Sequence, residues 1–571
     1  MIEHLTRSHL REFGGIYCFD RPEADTYIGE FPHISPLGNA CILDGRIDHC
    51  EGDREELALS LYERSGAAGL RNLIGDWSLA IWDRGRREIV LASDYAGARP
   101  LYYYCSGGLV AWDTSLPRLA ARTGRTALDL CYVAEYLTTG FPSGASPYEG
   151  ISSVPAGCAL SISARRVEKT VLWTPPLHTS IRYGRDEGYE EHFRALFEEA
   201  VAVRLQTSSV VTAELSGGLD SSSIVCMADR LITTGAVRAE GLLTFSYEEP
   251  GSPDLPYMAE VEKVCQTACA VHVDLDEFPF LSASSASASR PTFAETRLAE
   301  MRRHMRVAGS TVVLTGQLGD LITGNLVDDS EQAADLLADG QLGAAMRALL
   351  AWSRSLRVPV YGLAWKSVRG AWGSPASWRP SHRGEDSLTP SMRARAHELE
   401  MQRSGDELVA RATPSRRNRI FALRQMFASR FFQCPEPLDG LLYSHPYTHR
   451  PLVDFLLSIP PDVVCRPGER RRLMRRALRT VLPDALLRRR SKGDYEGRFL
   501  KAMRACATEM SVAPESLLLV RMGCVDAASV GSRLARLSRG MPCNEPQLRQ
   551  LILLEIWLRQ RVEDGVIRET R

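Results

Sequence analysis

A buried-strand run, Ser209-Val210-Val211-Thr212-Ala213-Glu214-Leu215, passes through Ser216-Gly217-Gly218-Leu219-Asp220-Ser221-Ser222 into a helix-like run over 223–230. Two glycines let the backbone turn tightly and bring its N–H groups against an anion. The helix that follows presents free N–H groups and its positive dipole end at the same point. The hydroxyls of Ser216, Ser221 and Ser222 can add donors. Asp220 would repel phosphate unless it holds a magnesium ion that the phosphates share. A plain strand–turn–helix also needs glycine, but the whole string in this setting points to a phosphate site. It is not of the Walker type, since GxxxxGK[ST] is absent. Strand-like runs at 242–247, 271–275 and 311–314, with helical segments between, predict a doubly wound, mainly parallel sheet. Ligands of such sheets bind beyond the carboxyl ends of the strands.

The last of these runs continues into Thr315-Gly316-Gln317-Leu318-Gly319-Asp320, a second glycine-containing turn with an acid. Asp220 and Asp320, at neighbouring strand ends, suit a magnesium ion clamped on pyrophosphate. Asp320 could instead cap the next helix.

Residues 1–175 have another rhythm: short apolar runs at 40–43, 78–82, 89–93 and 101–104, closed by turn signals such as Asp83-Arg84-Gly85. Helical stretches at 55–65 and 127–137 are interleaved, which predicts an α+β domain with packed antiparallel sheets. The proline-containing stretch 173–184, poor in apolar residues, reads as a linker, and residues 186–571 as the second domain. Residues 328–430 read as helical, for example 333–352, with a Ser-, Pro- and Gly-rich loop at 373–390.

No run approaches the ~18–20 apolar residues that span a bilayer, and no secretory signal is present, so the cytosol is expected. The fourteen cysteines are scattered; reduced thiols are expected rather than disulfides or a zinc site. A net charge of −1 gives no field that recruits nucleic acid or an anionic membrane.

With these strings in view, the chain resembles the asparagine synthetase superfamily. In the second half the likeness rests on 215–222, which resembles the pyrophosphatase loop (PP-loop), on 315–320, on 446–455, and on Leu482-Pro483 with Arg490-Ser491-Lys492-Gly493. In the first half it rests on Asp44-Gly45-Arg46-Ile47-Asp48, on 75–83 and on 97–103, ordered as in the family's glutamine amidotransferase domain. The resemblance implies a glutaminase-like, Ntn-type α+β sandwich joined to an α/β PP-loop ATP pyrophosphatase domain with a helical insert. It implies ATP and magnesium as cofactors, and an amide-forming reaction that releases AMP and pyrophosphate.

The departures are specific. A working glutaminase of this class starts its mature chain with cysteine, whose own α-amino group serves as base. Here position 2 is Ile2, and Gly14 stands in the nucleophile's place, with Cys18 the nearest thiol. Ser93 replaces the usual arginine before Asp94. The first domain is therefore expected to be a scaffold or docking surface. In the second loop Gln317 replaces the usual acid and Leu318 a usual glycine; the tyrosine–glutamate dyad of β-lactam-forming relatives, expected at 317 and near 442, is missing. The region around Leu350-Ala351-Trp352 and the string 445–453 resemble lasso peptide cyclases. That branch implies adenylation of an Asp or Glu side chain in a precursor peptide and closure by its N-terminal amine. It also implies a leader-binding protein and a leader peptidase as partners.

By the same resemblance Leu215, Tyr247, Thr315 and Gly316 contact adenosine, the loop Ser216, Gly217, Gly218, Ser221 and Ser222 cradles pyrophosphate, and Lys492 faces the α-phosphate. Gln317 cannot take a proton and can only orient groups. His445 and His449 are candidate bases, each read first as structural. The arginine-dense run 466–498 reads as a solvated helical face. Alternatives are an ammonia-dependent asparagine or β-lactam synthetase, a tRNA-modifying PP-loop ligase, or a non-catalytic binding module.

Overall fold

The computed structural model describes residues 13–19, 33–140, 142, 144–207, 209–274, 289–291, 295–324, 329–373, 387–403, 407–490, 493, 496–541 and 545–568. The first part builds two antiparallel sheets. One has the order β1-β7-β6-β8, made of β1 (Gly14–Cys18), β6 (Tyr102–Ser106), β7 (Leu109–Asp113) and β8 (Ile151–Ser153). The other has the order β10-β9-β5-β4-β3-β2, made of β2 (His33–Ile34), β3 (Ala40–Ile47), β4 (Gly75–Asp83), β5 (Glu88–Ser93), β9 (Cys158–Ile162) and β10 (Val167–Val171). Side chains alternate between faces along each strand. Ile42, Ala80, Ile89 and Leu91 meet Tyr17, Val110 and Trp112 of the facing sheet, while Leu43, Leu79, Ile81 and Val90 meet Leu59 and Tyr62 of the helix Arg54–Ser65. Asp53 caps that helix by accepting from the amides of Glu55 and Glu56.

The second part is built on a wholly parallel sheet, β13-β12-β11-β14-β15, made of β11 (Val210–Glu214), β12 (Gly241–Glu248), β13 (Ala268–Asp274), β14 (Val312–Leu314) and β15 (Leu442–Ser444). The chain runs outward from β11 to β13, then crosses back to β14. The strand order therefore reverses between β11 and β14, which opens a crevice at their carboxyl ends. The helix Leu219–Thr233 packs on one face, and the helix Glu295–Ala308 covers the other through Met301 and Met305 against Phe245, Val313 and Tyr443. The sandwich-plus-parallel-sheet fold class matches the expectation. The three-residue strand β15 was not expected.

Three other expectations need correction. The helix read over 333–352 is broken by Asp339-Gly340-Gln341, where Gly340 is left-handed (φ 72°), into Gln332–Ala338 and Leu342–Leu356. The stretch 173–184 has no regular element but is packed: Trp173 donates to Asp454 (2.9 Å) and meets the rings of Tyr95 and Phe427. The run 466–498 is no solvated helix. Its helix Arg472–Ala477 is short, and Arg471 and Arg472 are buried. The C-terminal helices return to the sandwich, where Leu551 and Trp557 share a core with Leu119 and Tyr132.

Candidate active site

At the end of β11 the chain turns through Gly217 (φ 68°) and enters the helix at Gly218. A Cβ on Gly217 would lie 2.7 Å from the Asp254 carbonyl oxygen, so both conformation and space require glycine there. Ser221 Oγ lies 3.1 Å from both Ser216 N and Ser216 Oγ, closing the turn on itself. The Ser222 hydroxyl is fully buried and has no partner among the described residues. The second loop lies directly on this turn. A Cβ at Gly316 would come within 2.9 Å of Ser221 N, and one at Gly319 would collide with the Asp220 carboxylate. Between them Leu318 is left-handed (φ 74°), an uncommon conformation for a side chain of its size, held by burial in the core.

This close approach brings Asp220 and Asp320 together. Both carboxylates contact Nη2 of Arg471, and Asp220 also accepts from its Nη1 at 2.5 Å. Arg471 itself stands in the left-handed region (φ 55°), ahead of its short helix. A second buried arginine anchors the glycine turn: Arg489 donates to the Gly217 carbonyl (2.6 Å), pairs with Asp254 and lies 4.0 Å from the Tyr257 ring centroid. Asp254 also accepts from Gly493 N at 2.8 Å. Lys492, expected at the α-phosphate, lies outside the described residues, as does Ser491. Arg475 donates to the carbonyls of Leu486, Leu487 and Arg489, which caps the helix end beside the loop. Three arginines of a run read as solvent-facing thus frame the site, because each finds backbone carbonyls or a carboxylate.

Two glycine-containing turns therefore meet at the reversal point of a parallel sheet that follows an antiparallel sandwich in the chain. Residues 192–559 match the family model described as asparagine synthase, and residues 44–173 that described as glutamine amidotransferase domain. The chain belongs to the asparagine synthase family. It is 29% identical over 185 residues to a putative glutamine-hydrolysing asparagine synthetase of Methanocaldococcus jannaschii, covering 30% of this chain and 35% of that one. It is 26% identical over 313 residues to one of Mycobacterium bovis, covering 49% and 44%. With the carboxyethyl-arginine beta-lactam-synthase of Streptomyces clavuligerus it shares 32% over 183 residues, covering 32% and 33%. The matched stretches thus span less than half the length of these relatives.

Around the asparagine synthase loops, the remaining candidates fall into place. Thr315 donates to His445 Nδ1 (2.6 Å), while His445 Nε2 donates to the Phe432 carbonyl (2.9 Å), which fixes the neutral tautomer. Burial pulls this imidazole down to about 4, against the hydrogen bond to Phe432 that raises it. With both nitrogens engaged, His445 holds Thr315 in place and has no free lone pair for a substrate proton. His449 lies at the junction with the sandwich, 3.4 Å from Asp48, and is likewise lowered by burial. Gln317 donates to Tyr443 Oη (3.2 Å), and its own amide oxygen is buried without a partner among the described residues. Tyr247 stands at the end of β12 with the Arg297 guanidinium 4.9 Å from its ring centroid. Glu214, the last residue of β11, is pushed up to about 7 by burial, against the pull of Arg297.

The asparagine synthase sheet is tied to the sandwich by Asp76 of β4, which accepts from Ser444 Oγ (2.6 Å) and faces Arg204 (3.3 Å). Burial opposes ionisation there, but Arg204 and Arg46 outweigh it and hold the carboxyl well below the usual range. In the sandwich, a Cβ on Gly14 would lie 2.6 Å from the Asp113 carboxylate and 2.7 Å from Arg122. The place given to a nucleophile has no room for a side chain.

Sequence reasoning missed Arg471, Arg489, Asp254, Glu214 and Tyr443. Asp254 follows Ser252-Pro253, which signals only a turn, and the arginines carried only the signal of their charge.

Proposed function

We propose that this chain activates a substrate carboxylate with ATP as an acyl-adenylate and passes the acyl group to an amine, releasing AMP and pyrophosphate. One observation carries the reading: Asp220 and Asp320 converge on a single cationic nitrogen beside the glycine turn, at the crevice of the sheet. Two carboxylates so placed are a hard-oxygen donor set suited to magnesium, and the Ser222 hydroxyl, without a partner among the described residues, suits a phosphate oxygen. Magnesium held there would neutralise charge on the β and γ phosphates. The amides at the start of the helix Leu219–Thr233 hold the leaving pyrophosphate. Arg489 and Asp254 keep the turn in that shape. Lys492 offsets charge developing at the α-phosphorus. Leu215, Tyr247, Thr315 and Gly316 line the adenosine side. Gln317 orients the acyl group or the amine. The sandwich, without a nucleophile at Gly14, releases no ammonia from glutamine and acts as a scaffold.

The relatives, asparagine synthetases and a β-lactam synthase, favour a small amino-acid-like substrate. One feature supports a peptide instead, cyclised as a macrolactam with help from a leader-binding protein and a leader peptidase. The helices Leu342–Leu356 and Val360–Trp372 expose Leu342, Met346, Tyr361, Trp365 and Trp372, and residues 342–373 carry five cations and no carboxylate. Such a surface suits an apolar, acidic segment.

Pyrophosphate release with ATP and magnesium tests both readings, with aspartate plus ammonium, a carboxyethyl amino acid, and a peptide bearing a free N-terminus and an internal acid supplied in turn. The expected result is AMP and pyrophosphate with one class and a product lighter by one water. Release of ADP and phosphate, or no turnover with any class, overturns the ligase reading. Replacing Trp365 and Trp372 by serine should raise KM for a peptide and leave KM for ATP unchanged.

A further inference from the structure

An amide ligase of this kind needs a group that takes the proton from its incoming amine, and the residues assigned so far offer none. Gln317 has no basic atom. His445 has both ring nitrogens engaged, His449 faces Asp48 at the domain junction, and Asp220 and Asp320 face Arg471.

A cluster next to the second loop fills this gap. Glu214 ends β11 one residue before the turn begins, across from Phe245 of β12, while Ala213 beside it pairs with Leu314, the residue before Thr315. Tyr247 and Tyr443, from the strands β12 and β15, both feel its charge, and Arg297 from the helix Glu295–Ala308 partly offsets it. Tyr443 receives the hydrogen bond from Gln317, whose buried amide oxygen has no partner among the described residues. The cluster therefore combines a half-buried carboxyl, aromatic rings and an acceptor that no described residue occupies, at the strand ends that flank the adenylate position. That is the chemistry of a site for a primary ammonium group, with acceptors for its N–H bonds and ring faces for its charge. Burial leaves the carboxyl able to gain and lose a proton close to neutral pH, the condition for an effective general base.

We propose that Glu214, together with Gln317 and Tyr443, forms the binding site for the acceptor amine and takes its proton. The proposal rests on the ligase reading above. The ammonium gives one proton to the Glu214 carboxylate. The freed nitrogen lone pair attacks the acyl carbon, forming the C–N bond and a tetrahedral intermediate. On collapse the C–O bond to phosphate breaks, AMP leaves with that electron pair, and the second nitrogen proton passes to the AMP phosphate and on to water. Glu214 returns its proton to solvent. The charged and titratable groups facing Glu214 are Tyr247, Tyr443 and Arg297; Cys434 and Arg290 act on Tyr443.

The test separates the two half-reactions in the full chain. In Glu214→Gln, exchange of labelled pyrophosphate into ATP with the cognate carboxylate should stay within about threefold of the parent. Amide formation should fall by about 10²–10⁴, as for loss of a general base. Hydroxylamine, already neutral at pH 7, should still be acylated at close to the parental rate. The acidic limb of the amide-forming pH profile should vanish in Glu214→Gln, and Glu214→Asp should recover part of the rate. Amide formation at the parental rate, or equal loss of exchange, amide and hydroxamate, would overturn the proposal. Absence of exchange in the parent with every carboxylate would instead sink the ligase reading itself.

Discussion

Asp220 and Asp320 reach the same Nη2 atom of Arg471 from two different loops. The two are unequally buried: the Asp220 side chain is 11% exposed and that of Asp320 34%. Asp220→Asn should therefore both abolish pyrophosphate exchange and destabilise the fold, by about 3–5 kcal/mol for a broken buried pair. Asp320→Asn should abolish exchange with a stability change under ~1 kcal/mol, since water screens that pair. Adding Arg471→Met to Asp220→Asn should restore stability without restoring exchange. Denaturant midpoints alongside exchange rates check all three.

Gly316 sits against the backbone of Ser221 with no room for a methyl group. Gly316→Ala should push the second loop off the glycine turn. Displacement of reacting groups by a fraction of an ångström lowers rates steeply, so kcat/KM for ATP should fall by about tenfold or more. A nucleotide titration and a thermal melt distinguish this from unfolding, because Tm should change little.

His445 predicts a pH effect on stability. Its folded pKa, lowered to about 4, lies below the unfolded value, so the unfolded chain binds the proton first. The contribution is complete above ~6.5 and is lost as pH falls from there towards about 4; it amounts to roughly 3 kcal/mol. Glu214, raised to about 7, has the opposite sign: its contribution is complete at low pH and is lost as pH rises from ~4.3 towards about 7. The effect of His445 is therefore read from a difference. Subtracting the pH profile of His445→Asn from that of the parent, by urea midpoints, should leave a slope confined to the acidic window.

Neither Gly14 nor Cys18 should support glutamine hydrolysis. Cys18 lies within β1, paired with Leu109 of β7, and has no terminal amine to act as its base. Cys18→Ala should leave amide formation unchanged, and the parent should release no glutamate from glutamine. Glutamate release abolished by Cys18→Ala would restore a glutaminase role.

Much of the second half was legible because the glycine turn packs conformation and chemistry into contiguous residues. Period and turn signals located β3, β4, β5, β11 and β12 to within a few residues. The broken helix at Gly340 carried a signal that helical periodicity on both sides concealed. Leu318 shows the limit of substitution arguments. It stands where the family resemblance led us to expect glycine and still adopts the left-handed backbone, because burial in the core holds it there.

The sequence alone determined the fold character of the two halves, the glycine turn after β11 and the position of the two acids, because each is written in neighbouring residues whose backbone preferences and chemistry agree. Tertiary structure alone decided that Arg471 joins Asp220 to Asp320, that Arg489 and Asp254 brace the turn, and that the charge of Glu214 reaches Tyr443, the acceptor of the Gln317 hydrogen bond. Those meetings depend on which strand ends lie side by side and on which charged groups lose their water. Both follow from strand order and packing across the whole sheet, which no local stretch of chain encodes.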